Sequence, residues 1–373
     1  MVALVAALAI ALVLGSVIVV LYGENPASVY GAILRFTFVE PDGIGYVLAT
    51  ATPLIFSALA VAVCFKGGMF NIGVEGQYIF AMAVGAWAAL TLDFLPGPLL
   101  MFGAIAFAMI GGMIWGLIPA LLKVKTGAHE VVTTIMLNGI AVSLVAWIIA
   151  NPIRMTARGQ GNFNVNLRTD PFPDNAAIPD LGGVLGVRPS AHLTWLFPAA
   201  VLTALVVQFV LKRMRLGYEA RAVGISAGSA QAGGISIGGV QTKLFLLSGA
   251  LAGLVGMQQM LGENGFLPVG YAAGLGFTGI AVAFLGQNNA VGIVFAALLW
   301  GMLGRGETAL QITSDVPREF IIILQGILII SVVVTYQLAR RRLLARQRQR
   351  AAAIEEAPER RPDVGLGVEG GVA

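Results

Sequence analysis

The sequence predicts an all-α protein that crosses a membrane many times, and three observations support this fold class. Of the 373 residues, 57% are hydrophobic and only 11% are charged, whereas soluble domains average about 25% charged residues. Long apolar stretches recur along the chain, separated mostly by short polar connectors. The basic residues are concentrated in a few of these connectors and near the C-terminal end. Because a lipid-exposed backbone must satisfy its own hydrogen bonds, such stretches are expected to be helices.

Each apolar stretch is a candidate transmembrane helix, since crossing the hydrocarbon core takes about 20 residues. Ten stretches meet or approach this length: 2–21, 44–64, 69–91, 98–122, 128–151, 191–211, 241–261, 271–286, 290–304 and 317–338. The eighth and ninth are short and rich in glycine, which fits half-spans or broken helices. The first has no positive leading region and no clear cleavage site, so we expect it to be retained. Residues 1–338 therefore form the predicted transmembrane domain.

The positions of lysine and arginine predict the orientation, because short cytoplasmic connectors are enriched in them. Ten spans place both termini on one side, and the arginine-rich segment 340–350 makes that side the cytoplasm. The same orientation places the other basic connectors inside, including Lys66, Lys123, Lys125 and Lys212. It places Asp93, Glu263, Glu307 and Asp315 outside. Three segments follow from it: an external loop 152–190, a cytoplasmic loop 212–240, and a tail 339–373 that is first basic and then disordered.

Signatures of catalysis are missing from the sequence. The stretch that begins at His129 starts like a zinc-protease helix, but Thr133 stands where the second histidine is needed. No phosphate-binding loop and no nucleophile elbow occur in the chain. Cys64 is the only cysteine, and His192 is the only other histidine. We therefore expect a protein that is not an enzyme and that uses no cofactor and no metal.

The cytoplasmic loop 212–240 predicts two short helices separated by a glycine turn. In its first half, Tyr218, Ala222 and Ile225 are spaced to share one helical face, and Gly233 and Gly234 follow. A helix with such an apolar ridge and a charged flank could dock into a groove on a partner protein. An ordinary helix lying in the membrane interface fits the same residues equally well.

The stretch "GYEARAVGISAGSAQAGGI" within this loop resembles the EAA-type coupling loop of ABC importer permeases. The residues that match its core are Glu219, Ala220, Arg221, Ala222 and Gly224, with Gly234 in the place of the later glycine. In that family the loop inserts into a cleft of the ATP-binding subunit and transmits its closure. The resemblance thus implies that these residues couple the chain to an ABC ATP-binding subunit.

A second stretch, "MFNIGVEGQ" at 69–77, resembles one branch of bacterial permeases, which imports nucleosides, simple sugars and branched-chain amino acids. Nucleoside-type members read Phe-Asn-Ile-Gly-x-Glu-Gly-Gln at this place, whereas ribose-type members tend to read Asp-Leu-Ser-x-Gly. Residues 274–301 are similar to a late span of the same subgroup. The resemblance covers about 45–336.

This resemblance implies a permease subunit of an ATP-driven ABC importer that moves nucleosides across the bacterial inner membrane. It also implies a second permease subunit, homologous or identical, and an extracytoplasmic solute-binding protein, for which the external loop 152–190 is the candidate docking surface. A permease for a simple sugar or a branched-chain amino acid is an alternative, and an ion-coupled secondary transporter is another.

Polar and aromatic residues within the spans are the candidates for the substrate pathway. They are Phe70, Asn71, Glu75, Gln77, Asn138, Gln258 and Phe277. Polar groups at membrane depth are costly and usually face a bundle interior or a cavity. The three polar residues of the 69–77 motif either hold a broken entry to the third span or contact solute, and both interpretations stay open. Interhelical hydrogen bonding is the ordinary role of polar side chains such as Asn138 and Gln258.

Overall fold

The computed structural model describes residues 2–150, 168–188, 191–270, 274–314, 316–317 and 319–355. Within these ranges the regular elements are helices, joined by two isolated antiparallel bridges, Arg168 with Pro268 and Asp180 with Thr194. The predicted all-α fold class is therefore confirmed for the part of the chain that is described.

The described residues form fifteen helices, of which α7 and α12 are single turns. Their bounds are α1 Val2–Leu21, α2 Pro26–Phe38, α3 Gly43–Lys66, α4 Val74–Thr91, α5 Gly97–Thr126, α6 Glu130–Ala150, α7 Gly182–Leu185, α8 Leu196–Arg213, α9 Arg215–Ile225, α10 Ala227–Ala232, α11 Ile237–Ala252, α12 Met257–Gln259, α13 Leu275–Leu285, α14 Ala290–Thr313 and α15 Glu319–Glu355. A 3₁₀ turn spans Asp174–Ala176, and a π-helical turn at Met260–Asn264 directly follows α12.

Fewer helices qualify as membrane spans than the ten stretches that the sequence predicts. Among the described residues, six are long and apolar enough to cross a membrane: α3, α5, α6, α8, α14 and the segment Ile237–Asn264 that starts with α11. A seventh is added if α1 and α2, which are bent by 116° at their junction, count as one span. The predicted count of ten is thus not confirmed. The predicted span 271–286 reduces to α13, which has 11 residues.

Helix α2 is an element that the prediction of ten spans missed. The Asn25 side chain accepts a hydrogen bond from the Ala27 amide at 2.9 Å, and Pro26 occupies the first helical position. Both features favour the start of a helix. At 13 residues α2 is too short to meet a 20-residue criterion, so residues 22–43 had been interpreted as a connector.

Helix α3 is the central helix of the bundle. In its most apolar window, 89% of the residues are buried inside the protein. Helices α8, α11, α13 and α14 pack around it, while α4 packs against α5 and α6. Helices α5 and α11 approach closely because glycines meet at their crossing: a Cβ atom on Gly116 would lie 3.0 Å from the Phe245 carbonyl, and one on Gly253 would lie 2.6 Å from that of Ala108. Small residues at such crossings allow helix backbones to touch.

The bundle has two distinct ends. At one end, Gly224 of α9 lies against the turn after α3, and Gly238 of α11 contacts Val124 near the end of α5. We call this the basic end, because the basic connectors predicted to face the cytoplasm lie here. At the opposite end, the described part of the predicted external loop folds back on the chain that follows α12. The amide of Thr169 donates to the Leu267 carbonyl at 2.9 Å, and that of Phe172 donates to Gly265 at 2.7 Å.

The C-terminal part of the chain continues as helix. Helix α15 runs from Glu319 to Glu355, so the basic segment predicted as the start of the tail extends the last helix. The remainder of the predicted disordered tail, 356–373, lies outside the described residues, as do 152–167 and 189–190 of the predicted external loop.

Candidate solute pathway and coupling site

A polar break separates α3 from α4 in the interior of the bundle. Asn71, which is fully buried, donates from Nδ2 to the Gln77 Oε1 at 3.1 Å and to the Ser248 Oγ at 2.9 Å. Its Oδ1 accepts from the Gly73 amide at 2.9 Å. Ser248 in turn donates to the Ala60 carbonyl at 2.7 Å. The two amides of the motif thus close a hydrogen-bond network that joins α3, α4 and α11.

Asn138 of α6 completes the break from the other side. Its Oδ1 accepts from the Gly76 amide at 2.8 Å, and its Nδ2 donates to the Ile72 carbonyl at 3.1 Å. Gly76 lies in the first turn of α4, where amides have no partner within the helix. Asn138 is eight residues from the start of α6, which places it about 12 Å along the helix axis. This bridge therefore lies at membrane depth.

Glu75 joins the start of α4 to the start of α13. Its two carboxylate oxygens accept from the Tyr78 hydroxyl at 3.0 Å and from the Gly276 amide at 2.8 Å. A Cβ atom on Gly276 would lie 2.6 Å from the Cα of Glu75, so the two helix starts are in direct contact. Both N-termini carry partial positive charge, which a carboxylate between them offsets. The site holds two helix starts together deep inside the bundle.

The structure brings the predicted polar pathway residues into this interior network with one exception. Asn71, Glu75, Gln77 and Asn138 are buried and bonded to protein groups. The exception is Gln258, which lines a cavity.

The two aromatic candidates lie apart from the network. Phe70 is half-buried and packs against Phe65 and Phe284, with ring centroids 6.4 and 6.0 Å away. Phe277 is 50% exposed on α13. Neither ring faces the cavity that Gln258 lines.

This cavity, which we call the α3–π cavity, lies between α3 and the π-helical turn and has a volume of about 460 Å³. It is lined by Tyr46, Ala49, Thr50, Pro53, Ala191, His192, Gln258, Gln259, Glu263 and Leu275. Gln258 accepts from the Thr194 hydroxyl at 2.6 Å and donates to the His192 carbonyl, so it fixes the cavity wall. The other lining residues are not among the seven candidates for the substrate pathway. Pro53 inside a span and the glycines before Gln258 were the signals that could have indicated them.

The predicted coupling loop forms two short helices, α9 and α10, but their junction differs from the prediction. The residue between them is Ser226, in an extended conformation, and its side chain caps α10 by accepting from the Ser229 amide at 3.3 Å. Gly233 and Gly234 instead end α10, and Gly234 has a φ of +80°. The expected glycine turn is therefore present at Gly233–Gly234, but it lies between α10 and α11. Ser226 supplies the additional junction between α9 and α10, because its hydroxyl replaces a missing helical acceptor.

The two charged residues of the predicted coupling core, Glu219 and Arg221, each bond a group near the junction of α8 and α9. The Glu219 carboxylate, which is buried, accepts from Arg215 at 2.6 Å, and the Arg221 guanidinium donates to the Leu211 carbonyl. Ala220 is buried and Ala222 half-buried. The exposed apolar groups of α9 are Tyr218 and Ile225, at 63% and 87% exposure. The face available to a partner is therefore built mainly from these two side chains.

Gly224 connects this helix pair to the polar break. A Cβ atom placed on it would press against the Lys66 carbonyl and lie 3.1 Å from the Gly68 amide nitrogen. Gly68 itself has a φ of +71°, which favours glycine. Only two residues, Met69 and Phe70, separate Gly68 from Asn71. The end of α9 thus sits directly on the turn that leads into the break.

Comparisons with known proteins give one family model and several relatives that cover most of the chain. A family model described as the permease component of branched-chain amino acid transport systems matches residues 43–333. The guanosine ABC transporter permease protein NupP of Bacillus subtilis is 36% identical over 336 residues, covering 88% of this chain and 92% of NupP. The glucose ABC transporter permease protein TsgB13 of Haloferax volcanii is 33% identical, covering 86% and 83%. The nucleoside permease NupB of Lactococcus lactis is 29% identical, covering 87% and 88%.

Proposed function

Since the chain belongs to the family of permease components typified by branched-chain amino acid transport systems, we propose that it is the membrane subunit of an ATP-driven ABC importer for nucleosides. Membership of this family makes it a multi-pass transport subunit. Nucleosides are favoured because the guanosine permease NupP is 36% identical over nearly its whole length. The nucleoside-type reading of residues 69–77 supports the same solute class.

The proposal includes ten membrane crossings with both termini in the cytoplasm. The crossings are α1, α3, α4, α5, α6, α8, α11, α13, α14 and α15. In this arrangement α13 is the inner half of a broken crossing, and its first turn bonds the Glu75 carboxylate through the Gly276 amide. Irregular backbone at membrane depth is tolerated where it is buried in protein or lines a cavity. The basic end faces the cytoplasm, as the positive-inside rule requires.

The observation that supports coupling most directly is the contact between α9 and the turn after α3. An ATP-binding subunit that docks on Tyr218 and Ile225 would push α9 against Gly67–Gly68. Because this turn leads into the polar break, the movement would reach the starts of α4 and α13. Closure of the ATP-binding subunit would thereby change access to the pathway.

Three further partners complete the proposed importer: a second permease, similar or identical to this one; a second ATP-binding subunit; and an extracytoplasmic solute-binding protein. The described part of the external loop, 168–188, is the proposed docking surface for the binding protein. It is held to the opposite end by the bridge between Arg168 and Pro268, on the same end as the α3–π cavity.

The test compares two glycines of the α9–α10 pair. In Gly224→Ala the added methyl would press on the Lys66 carbonyl, whereas in Gly228→Ala it would meet no atom within 4 Å. Overpacking by one methyl group costs about 1–3 kcal/mol, so we expect Gly224→Ala to lower ATP-driven guanosine uptake about fivefold or more in reconstituted vesicles. Gly228→Ala should transport like the parent chain. Equal uptake and equal ATPase stimulation in both variants would refute the coupling role of α9.

Glucose is the second candidate solute, because the glucose permease TsgB13 is 33% identical over most of both chains. Competition uptake with guanosine, glucose, ribose and leucine distinguishes the candidates. We expect unlabelled guanosine to compete most strongly with labelled guanosine. Uptake of labelled glucose that guanosine does not reduce would favour the sugar alternative.

A further inference from the structure

We propose that the α3–π cavity is a solute-binding site of this chain, selective for a neutral molecule rich in hydroxyl and N–H donors over its anionic counterpart. For the proposed function, this means a nucleoside rather than a nucleotide. The inference rests on the proposed function for the choice of solute. The site itself is argued from the shape, the polar groups and the charge of the cavity.

The size of the cavity suits a small molecule. Its volume of about 460 Å³ falls within the range of about 300–1,000 Å³ that is usual for ligand pockets. Along α3 its wall runs from Tyr46 to Pro53, a distance of seven residues or about 10 Å. The exposed Glu263 and His192 mark its mouth, and Leu275 at the start of α13 lies at its floor.

Two polar groups in the wall are available to a ligand. Among the described residues, the Oε1 atom of Gln259 is buried and has no hydrogen-bond partner. Pro53 lies inside α3 and has no N–H to donate to the Ala49 carbonyl one turn earlier. A buried polar group without a partner costs about 1–3 kcal/mol. A solute that donates hydrogen bonds would remove this cost, which makes these groups recognition elements.

The backbone opposite α3 is irregular, as expected beside a pathway. The helix that begins with α11 is interrupted by turns at 253–256 and ends in the π-helical turn Met260–Asn264. Non-helical backbone within a membrane span is tolerated only where it is buried or lines a cavity, and π-helical turns are frequent at functional sites. This interruption places Gln258, Gln259 and Glu263 together on the cavity wall.

The charge of the cavity lining favours a solute that donates hydrogen bonds over a solute that is an anion. Glu263 is the carboxylate of the lining, and neither lysine nor arginine contributes to it among the described residues. The guanidinium of Arg305 lies 5.2 Å from the Tyr46 ring centroid but pairs with Asp42 at 2.7 Å. Among the lining residues, a phosphate group would therefore meet a carboxylate and no lysine or arginine. Hydroxyl and ring N–H groups would meet acceptors.

The floor of the cavity connects the solute to the polar break. The Leu275 carbonyl accepts from the Ser57 hydroxyl at 2.9 Å, and the next amide, that of Gly276, donates to Glu75 at 2.8 Å. A solute resting on Leu275 thus contacts the helix start that Glu75 holds in place. Movement at the break would open or close this floor.

Equilibrium binding tests the assignment without requiring transport. Tritiated guanosine is titrated onto the full chain, purified with its ATP-binding and permease partners in lipid nanodiscs. We expect Gln259→Leu to weaken guanosine binding about 5-fold and Glu263→Gln about 10-fold or more, since hydrogen bonds to charged groups are stronger. Gln325→Leu, a half-buried glutamine of α15 outside the cavity, and Asp93→Asn, an exposed carboxylate at the same end, are matched controls. Guanosine monophosphate should compete at least 10-fold more weakly than guanosine.

A labelling experiment guards against variants that fold poorly. Cys64 is the only cysteine and is buried in α3, so a cysteine introduced by Thr50→Cys can be labelled selectively, with Cys64→Ala as background. Guanosine should slow the reaction of this thiol with a small maleimide, and leucine should not. Slowing by leucine but not by guanosine would overturn the nucleoside assignment.

The outcomes separate the site from the proposed function. Unchanged guanosine binding in both cavity variants, together with no protection of the Thr50→Cys thiol, would overturn the site. If the Gly224→Ala variant still loses ATP-driven uptake in that case, the importer function stands and only the cavity assignment fails. If guanosine binds and protects but no ATP-driven uptake occurs in the parent complex, the site stands and the importer function fails.

Discussion

Replacing Asn138 removes the two hydrogen bonds that join α6 to the polar break. In Asn138→Ala, the Gly76 amide and the Ile72 carbonyl lose the partners that now lie at 2.8 and 3.1 Å. Both groups are fixed by backbone geometry at the start of α4, so they cannot turn toward other partners. We therefore expect loss of stability rather than loss of a solute contact.

The size of the expected loss in the free energy of unfolding depends on whether the unfolded chain is in water or in lipid. On the scale of water-soluble proteins, two stranded buried groups would cost about 2–6 kcal/mol. Side-chain hydrogen bonds within membranes average about 0.6 kcal/mol and reach about 1.7, because the unfolded chain in lipid also finds partners. The membrane scale is the relevant one here, and it predicts a loss of about 1–3 kcal/mol for the two bonds together.

The assay is unfolding of the purified chain in mixed micelles by titration with a denaturing detergent. Ser143→Ala, an exposed serine on the same helix, is the control and should change the free energy of unfolding by less than about 0.5 kcal/mol. Guanosine uptake per folded molecule should stay near that of the parent chain in both variants. If Asn138→Ala is as stable as the parent chain but loses most of its uptake, this reasoning is refuted. Asn138 would then be a residue that contacts solute.

Two other changes test the packing and the coupling corner. Gly112→Ala places a methyl against the backbone of α11 and should lower the free energy of unfolding by about 1–3 kcal/mol. In the control Gly103→Ala, the added Cβ would approach only a Leu92 methyl at 3.8 Å, so stability should not change. Equal unfolding curves in denaturing detergent for the two variants would contradict this expectation. Replacing Glu219 and Arg221 together by alanine should uncouple ATP hydrolysis from uptake while the chain still inserts. Arg221 bonds the Leu211 carbonyl of α8, and Glu219 pairs with Arg215 in the first turns of α9. Normal uptake with normal ATPase stimulation would contradict the coupling role.

The sequence was sufficient to identify the polar motif but not to find its partners. Asn71 and Gln77 are six residues apart, and their amide types in an apolar chain marked them at once. Ser248, the partner of Asn71 on α11, is however 177 residues away along the chain. Asn138 was marked as a polar residue inside a span, and only the fold places it 2.8 Å from the Gly76 amide. Local chemistry is visible in a sequence, whereas a pairing between distant helices is not.

Helix α2 and the α3–π cavity were missed by the sequence predictions for two different reasons. The 13 residues of α2 fall below the length of a span, although Asn25 and Pro26 carry the signals of a helix start. The α3–π cavity escaped prediction for a different reason. Its wall combines residues near 50, near 192 and near 260, and no spacing rule connects three such segments. Pro53 indicated only that α3 departs from a regular helix.

The contacts join the two ends of the molecule through a short series of rigid groups. Gly224 at the end of α9 lies on Gly68, three residues before Asn71. The network of Asn71 fixes the start of α4, where Glu75 bonds the first turn of α13 at 2.8 Å. That turn begins with Leu275 at the floor of the cavity. In the proposed importer, a displacement of α9 by the ATP-binding subunit would therefore reach the solute without deforming α3, because each connection is a helix start or a glycine turn.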